Sequence, residues 1–490
     1  MIGLNAMIEE KLQREPISKA SPFAIRGAVE GFYGTFYTFP QRNDLIRFMG
    51  EQGFNLYLYG PKFDRHHRRN WRDPYPPQQM EQFAETVAVA RGAGVAFGYA
   101  LSPGHSIGFG SARDFALLKD KLYALYEIGV RVFSLFLDDI VPQFYDMDDT
   151  IRYANYAEAQ ADLCNRTYAW LQALDQSCTL SMCPTEYHGA PPFGEYLHQL
   201  GACLHPEIDV FYTGPTICSR IIGEADAAAF GRAVRRPPLI WDNYPVNDLG
   251  MQREMHIGPI RGRGSSLCES VRGVLVNLMS QAEATKVPLH TYGAYFRAPA
   301  AYDAERAWND ALCAVAGEKS VEALRRLGEN SLHCCLGTAE AAALARLTQP
   351  VLEAMQNDAV DPAVMDGEGL NQQSATHVRA AMRDLDTYLQ NLEEACYHIN
   401  YYMPNLALRQ DLLPWTEGLH LQQDMGRRAL ALWQAETPPH AGEWSVHRLQ
   451  ELVAEVSNHP KRIGSALLLP LARLALQRVQ EAHEVETVNS

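Results

Sequence analysis

The chain has 490 residues, of which 47% are hydrophobic and 21% are charged, and its formal net charge at pH 7 is −15. This length predicts more than one domain, and the composition is that of a folded protein, because disordered chains combine low hydrophobicity with high net charge. The acidic balance argues against nucleic-acid partners and against binding to anionic membranes, since both depend on basic patches that contact phosphate.

No secretory or membrane-spanning segment is indicated. Charged residues between Glu9 and Glu15 interrupt the first twenty residues, unlike the apolar stretch of a secretory leader. The longest apolar run, around Ala466 to Leu476, contains Pro470 and Arg473 and is shorter than the roughly 20 residues that span a bilayer. We therefore expect a cytoplasmic protein without a membrane partner.

Metal and cofactor motifs are not indicated either. The ten cysteines form no Cys-X-X-Cys pair, so we expect reduced and mostly buried thiols. His66 and His67 are adjacent, but neighbouring arginines would repel a cation, and we expect a loop that shapes a pocket rather than a metal site. No glycine-rich nucleotide motif is present, and no cofactor is predicted.

Eight short apolar runs recur between about residues 24 and 300, each followed by polar residues and a longer amphipathic segment. Their starts are about 20 to 50 residues apart, which leaves room for a crossover helix each time. Near-continuous apolarity is typical of parallel strands buried on both faces, so we predict a (β/α)8 TIM barrel. The runs are Ala24–Glu30, Phe54–Tyr59, Val95–Ala100, Val132–Leu137, Leu180–Cys183, Val210–Thr213, Leu239–Trp241 and Val274–Val276.

Helix signals lie between the runs and beyond them. Ser111 and Asp114 fit a capping box, and Pro40 lies where a first helical residue is expected. After about residue 302 helical periodicity replaces the strand pattern, and a heptad seam extends from Val378 to Ile399. The predicted organisation is an N-terminal extension over residues 1–21, the barrel over 22–302 and a C-terminal α-helical bundle over 303–490.

Polar and aromatic residues follow the runs, and catalytic groups of such barrels gather at the carboxyl ends of the strands. Some of these residues offer hydrogen bonds to hydroxyl groups, and others offer aromatic walls with polar tips, although each aromatic could equally pack in the core. The first set comprises Lys62, Asn243, Asp248 and Asn277, and the second comprises Tyr33, Tyr187 and Trp241.

Two adjacent carboxylates, Asp138 and Asp139, follow the fourth run. Paired carboxylates are the usual catalysts of glycoside hydrolysis, although such a pair also suits a helix cap or a metal ligand. Consecutive strand residues point to opposite faces, so both can reach one substrate only where the strand ends and the chain bends. Their closeness should disfavour simultaneous ionisation, which would keep one of them protonated as a general acid.

Together these motifs resemble glycoside hydrolase family 84, the O-GlcNAcases. The resemblance covers about residues 22 to 300, with one motif at each strand end. Gly60, Phe63 and Leu137 depart from the pattern of the family. The motifs are Arg26-Gly-Ala-Val-Glu-Gly-Phe-Tyr-Gly34, Tyr57-Leu-Tyr-Gly-Pro-Lys62, Tyr99-Ala-Leu-Ser-Pro-Gly104, Asp138-Asp-Ile140, Cys183-Pro-Thr-Glu-Tyr187, Thr213-Gly-Pro215, Trp241-Asp-Asn-Tyr-Pro-Val-Asn-Asp248 and Gly273-Val-Leu-Val-Asn277.

The resemblance implies a retaining exo-β-N-acetylglucosaminidase that removes O-linked GlcNAc from Ser or Thr of proteins. The sugar's acetamido oxygen would attack the anomeric carbon and form an oxazoline, so that no protein nucleophile is needed. Asp138 is implied to polarise the acetamido group, and Asp139 to protonate the leaving oxygen and then activate water.

The resemblance also implies a sugar pocket and a substrate. Residues implied to contact the outer hydroxyl edge of the sugar are Gly27, Lys62, Asp248 and Asn277. Residues implied to enclose the N-acetyl group, which must be held ready for attack, are Cys183, Tyr187, Trp241 and Asn243. The implied partner is a GlcNAc-bearing protein or glycan, and a homodimer through the helical region is left open.

Three other functions are compatible with parts of this pattern. A hyaluronidase-like endo-enzyme would use the same acetamido chemistry within a polymer. A catalytically silent GlcNAc-binding protein would not need two carboxylates at the anomeric carbon. A metal-dependent barrel hydrolase would need histidine ligands at the strand ends.

Overall fold

The structure, a computed structural model, describes residues 21–356, 371–434 and 443–489. The predicted N-terminal extension lies outside these ranges except for Ser21. The chain divides into two compact units: a barrel unit that ends at Asp248 and resumes over Pro259–Ala307, and a helical unit of Leu249–Gly258 and the residues from Trp308 onward. The division predicted from the sequence is contiguous, whereas the helical unit includes a segment inserted between two barrel strands.

Eight parallel strands form a closed barrel in sequence order, and the last strand pairs with the first. Each strand begins and ends within two residues of the apolar run that predicts it, and the barrel prediction is confirmed. The strands are β1 (Ile25–Glu30), β2 (Leu56–Tyr59), β3 (Ala96–Leu101), β4 (Val132–Phe136), β5 (Thr179–Cys183), β6 (Asp209–Tyr212), β7 (Leu239–Asp242) and β8 (Gly273–Asn277).

Helices follow the strands of the barrel unit. They are α1 (Phe39–Glu51), α2 (Pro77–Gly92), α3 (Ala112–Glu127), α4 (Met147–Arg152), α5 (Tyr156–Leu174), α6 (Glu195–Cys203), α7 (Glu224–Val234) and α8 (Lys286–Arg297). Later helices are α9 (Ala304–Ala316), α10 (Val321–Glu329), α11 (Ala342–Gln356), α12 (Asn371–Tyr401), α13 (Leu406–Trp433), α14 (Glu443–Asn458) and α15 (Leu469–Asn489).

Both predicted helix starts are present, but their caps differ from the prediction. Pro40 is the second residue of α1 rather than the first, and the capping box forms between Thr38 and Gln41, with reciprocal bonds of 3.4 and 3.0 Å. Ser111 caps α3 by accepting a hydrogen bond from the backbone N–H of Asp114 at 3.2 Å. Asp114 does not complete the predicted box, because its carboxylate is ion-paired with an arginine of the loop after β2.

Side chains fill the interior of the barrel, as expected for eight strands. Near the carboxyl ends, the rings of Phe136 and Trp241 meet with centroids 5.0 Å apart, so aromatic rings close the interior below the strand ends. A ligand must therefore bind above them. The interior cluster consists of Val29, Leu56, Leu58, Ala100, Phe136, Cys183, Phe211, Leu239, Trp241 and Leu275.

The helical unit is organised around the predicted heptad seam. On α12 the seam is buried from Met382 to Ile399, and Val378 is half-buried. This helix packs against α10, α11 and α13, which agrees with the helical prediction for this region. Within the described ranges, no helix has the length and apolarity of a membrane span.

Candidate active site

The adjacent carboxylates lie just beyond β4, where the chain bends. Leu137 continues the sheet by donating to the carbonyl of Cys183 at 2.9 Å, and Asp138 is buried at 5% exposure. Asp139 has a φ of 53°, in the left-handed region that few residues other than glycine adopt. This bend, which a regular strand lacks, lets both carboxylates contact Lys62, although they are consecutive in sequence.

The two oxygens of Asp138 have different surroundings. Oδ2 accepts a hydrogen bond from the buried Lys62 ammonium at 2.5 Å. Oδ1 is equally buried and has no hydrogen-bond partner. Because buried acceptors are nearly always bonded in folded proteins, this oxygen is suited to accept a hydrogen bond from a ligand.

Asp139 accepts hydrogen bonds from two tyrosines. The Tyr33 hydroxyl donates to Oδ2 at 2.8 Å, and the Tyr187 hydroxyl donates to Oδ1 at 2.9 Å. Burial is the largest single influence on the Asp139 pKa and raises it, but the charge of Lys62, 4.0 Å away, and the two tyrosines outweigh burial and hold the pKa below its usual value.

This direction differs from the expectation that adjacency keeps one carboxylate protonated. Lys62 contacts both carboxylates, and its positive charge offsets their mutual repulsion. Burial raises the pKa values of Tyr33 and Tyr187, so both phenols remain protonated donors. In this structure Asp139 is therefore ionised at neutral pH.

The loop after β2 supplies a second cation that the sequence reasoning missed. Arg68 donates to the Tyr33 hydroxyl at 2.9 Å and to the Asp139 carbonyl at 3.3 Å. The buried Asp64 carboxylate fixes this loop by accepting hydrogen bonds from the hydroxyls of Tyr59 and Tyr75, both at 2.7 Å. The only sequence signal for Arg68 was its place in the loop expected to shape a pocket.

Of the two adjacent histidines in that loop, His67 is the buried one. His67 is fully buried, its Nδ1 lies 2.7 Å from the Ala100 carbonyl, and burial lowers its pKa to about 3. The ring is therefore neutral and belongs to the packing beneath the site. In the described parts of the chain, no group of three or more His, Cys, Asp or Glu side chains could hold a metal ion.

A second network lies at the ends of β7, β8 and β1. The Asn243 side-chain oxygen accepts hydrogen bonds from Trp241 Nε1 and Asn277 Nδ2, each at 2.9 Å. Asn277 Oδ1 in turn accepts from the backbone N–H of Gly31 at 3.3 Å. These contacts fix the edge of the Trp241 indole and both amides, which leaves rigid donors and acceptors beside the carboxylate pair.

Asp248 and Cys183 complete the surroundings of the carboxylate pair in different ways. Asp248 accepts a hydrogen bond from the Tyr33 backbone N–H at 2.7 Å, and burial raises its pKa. Cys183 ends β5 within the apolar interior, where burial raises the pKa of its thiol, so it is a neutral wall. Both residues lie at the same end of the barrel as Asp138 and Asp139.

Gly27 is the one predicted site residue that does not lie at the carboxyl ends of the strands. It is the third residue of β1, and a Cβ there would lie 2.9 Å from Leu275 Cγ and 3.0 Å from the Leu56 carbonyl oxygen. Its missing side chain serves strand packing. Gly31, directly after β1, lies at the site instead, where a Cβ would lie 2.4 Å from the Trp241 ring.

The position of Gly31 could have been recognised from the sequence. Nearly all the other predicted binding residues follow a strand or end one, whereas Gly27 lies inside one. The structure thus gathers Asp138 and Asp139 with Lys62, Cys183, Tyr187, Trp241, Asn243, Asp248 and Asn277 at the carboxyl ends of the strands.

A closed parallel barrel with paired carboxylates, a buried lysine and aromatic walls at this end has the arrangement of a glycoside hydrolase active site. The chain belongs to the beta-N-acetylglucosaminidase (NAGidase) family, whose model matches residues 26–329. The resemblance found in the sequence is thereby confirmed at the level of the family.

Individual relatives agree with this assignment. The rat and mouse proteins named protein O-GlcNAcase are each 35% identical over 276 residues, which cover 55% of this chain. The chain spans only 30% of the length of those relatives. A solved structure of a point mutant of the O-GlcNAc hydrolase of Thermobaculum terrenum superposes with a TM-score of 0.86 at 28% identity, covering 95% of this chain and 97% of that one.

Proposed function

We propose that this protein is a retaining exo-β-N-acetylglucosaminidase that removes O-linked GlcNAc from Ser or Thr of proteins through an oxazoline intermediate. The observation that carries this proposal is the environment of Asp138: one oxygen is bound by Lys62, and the other is buried without a partner. An acetamido N–H directed at that second oxygen would supply the missing donor.

The first step of the proposed mechanism uses Asp138. By accepting the acetamido N–H, its carboxylate increases the electron density on the acetamido oxygen, which attacks the anomeric carbon. The same carboxylate then stabilises the positive charge that spreads over the oxazoline ring. The Lys62 ammonium, bonded to the other oxygen, holds the carboxylate in position for this role.

Asp139 acts first as an acid and then as a base. It must gain a proton before it can protonate the leaving oxygen, although its pKa is held low in this structure. Its side chain is 33% exposed, and a bound sugar would remove further water from it. Because burial already raises this pKa more than any single contact lowers it, covering the remaining surface favours the protonated form. After the aglycone leaves, ionised Asp139 activates the water that opens the oxazoline.

The remaining groups divide between the two ends of the sugar. We assign Lys62, Asp248 and Asn277 to the outer hydroxyls, with the Gly31 region in place of Gly27. We assign the N-acetyl pocket to Tyr187, Trp241, Asn243 and Cys183, whose buried or hydrogen-bonded side chains can hold the acetamido group in one conformation. A cytoplasmic location stays a prediction from the sequence, which leaves a homodimer through the helical region open.

Turnover of three substrates tests this proposal. We expect hydrolysis of an aryl β-N-acetylglucosaminide and release of GlcNAc from a Ser-linked glycopeptide, with retained anomeric configuration and no inhibition by a chelator. Hyaluronan should remain intact. Cleavage of the polymer alone would favour the endo-acting alternative, and binding of GlcNAc without any turnover would favour a silent binding protein.

A further inference from the structure

Exposed apolar side chains of the barrel unit concentrate on the loops that follow the strands. Single exposed apolar residues are ordinary, whereas a cluster on one face marks an interaction site. Most of the highly exposed large apolar side chains of this unit follow β2, β4 or β6. Six of them, here named the apolar rim, are Phe63, Val141, Tyr145, Met147, Ile151 and Ile217.

Two members of the apolar rim directly adjoin residues of the site. Phe63, which is 60% exposed, packs edge-on against Tyr33 with ring centroids 6.2 Å apart, and Tyr33 donates to Asp139. The carbonyl of Ile217 accepts a hydrogen bond from Asn243 Nδ2 at 2.7 Å. Because β2 and β6 lie opposite one another in the eight-strand order, these apolar groups flank the carboxylates on two sides.

The loop after β4 adds the rest of the rim. Val141 comes two residues after Asp139, and Met147 and Ile151 lie on the short helix α4 with exposures of 77% and 83%. The buried Asp149 carboxylate anchors this helix by accepting hydrogen bonds from the backbone N–H groups of Phe109 and its successor, at 2.7 and 2.6 Å. The loop is thus held in place while its apolar side chains remain uncovered.

We propose that the apolar rim binds the polypeptide that carries the sugar and selects acceptors with apolar side chains beside the glycosylated Ser or Thr. This inference rests on the proposed function, because the leaving oxygen must lie at Asp139, and the residues attached to it then lie over the rim. Charged side chains of both signs border the rim, among them Asp148 and Arg69, so the selectivity that we propose comes from apolar contact rather than from charge.

The test compares two glycopeptides that differ only beside the glycosylated serine, with leucines in one and glutamates in the other. We expect the unaltered protein to favour the leucine peptide by about tenfold in kcat/KM, since each apolar side chain leaves water on binding. Phe63→Lys and Ile217→Lys should reverse this ratio toward the glutamate peptide. Tyr123→Lys makes the same change on α3, outside the rim, and should retain the original ratio.

Each outcome bears on a specific claim. Because the readout is a ratio within one protein sample, partial loss of folded protein cancels from it. An unaltered protein that cleaves both peptides equally would overturn the role of the rim while leaving the proposed function intact. An equal shift in Tyr123→Lys would assign the preference to overall charge and also overturn it. Failure to cleave any β-linked GlcNAc would count against the proposed function itself.

Discussion

Asn in place of Asp139 is expected to lower kcat/KM for a Ser-linked GlcNAc glycopeptide by about 10²- to 10⁴-fold, the usual contribution of a general acid. The serine alkoxide is a poor leaving group and needs a proton in the transition state. A dinitrophenyl glycoside has a leaving group that is stable as an anion, so the loss of kcat/KM there should be about tenfold or less. Steady-state kinetics on the two substrates measure the difference.

The comparison is informative because kcat/KM reports the step that breaks the glycosidic bond, before water attacks the oxazoline. Asp120→Asn is a matched control, since Asp120 is exposed on α3, outside the site, and its replacement makes the same carboxylate-to-amide change. An Asp139→Asn variant that loses the same factor on both substrates would remove the assignment of Asp139 as the acid.

Replacing Asp138 by asparagine is expected to lower kcat/KM by about 10²- to 10³-fold on both substrates, because a neutral amide cannot stabilise the charge on the oxazoline ring. Leaving-group quality should not alter this loss, since the acetamido group must attack in either case. Thermal unfolding of the variant is a necessary control, because the substitution removes the nearer of the two carboxylates that pair with the buried Lys62. A defect confined to the poor leaving group would contradict the role of Asp138.

The barrel and the carboxylate pair were predictable because their signals are local. Strands buried on both faces need continuous apolar runs, and Asp138 and Asp139 interrupt such a run where β4 ends. The need for a bend at the pair follows from strand geometry alone, and the left-handed φ of Asp139 provides it.

Other features depend on contacts between distant segments and could not be predicted. The bonds from Arg68 to Tyr33 and to the Asp139 carbonyl join loops that follow three different strands. The low pKa of Asp139 follows from Lys62 and two tyrosines, whereas the sequence shows only the neighbouring carboxylate. Gly27 was misplaced because a glycine in a motif does not reveal whether its missing side chain accommodates a ligand or an adjacent strand.

The most direct test of the central claim is the distance between Asp138 and the ring nitrogen of a GlcNAc-derived thiazoline, a stable mimic of the oxazoline, in a crystal of the complex. We predict that this nitrogen lies about 3 Å from the Oδ1 oxygen that has no partner in this structure. A bound thiazoline whose nitrogen contacts another residue, with Asp138 still bonded only to Lys62, would contradict catalysis by the acetamido group.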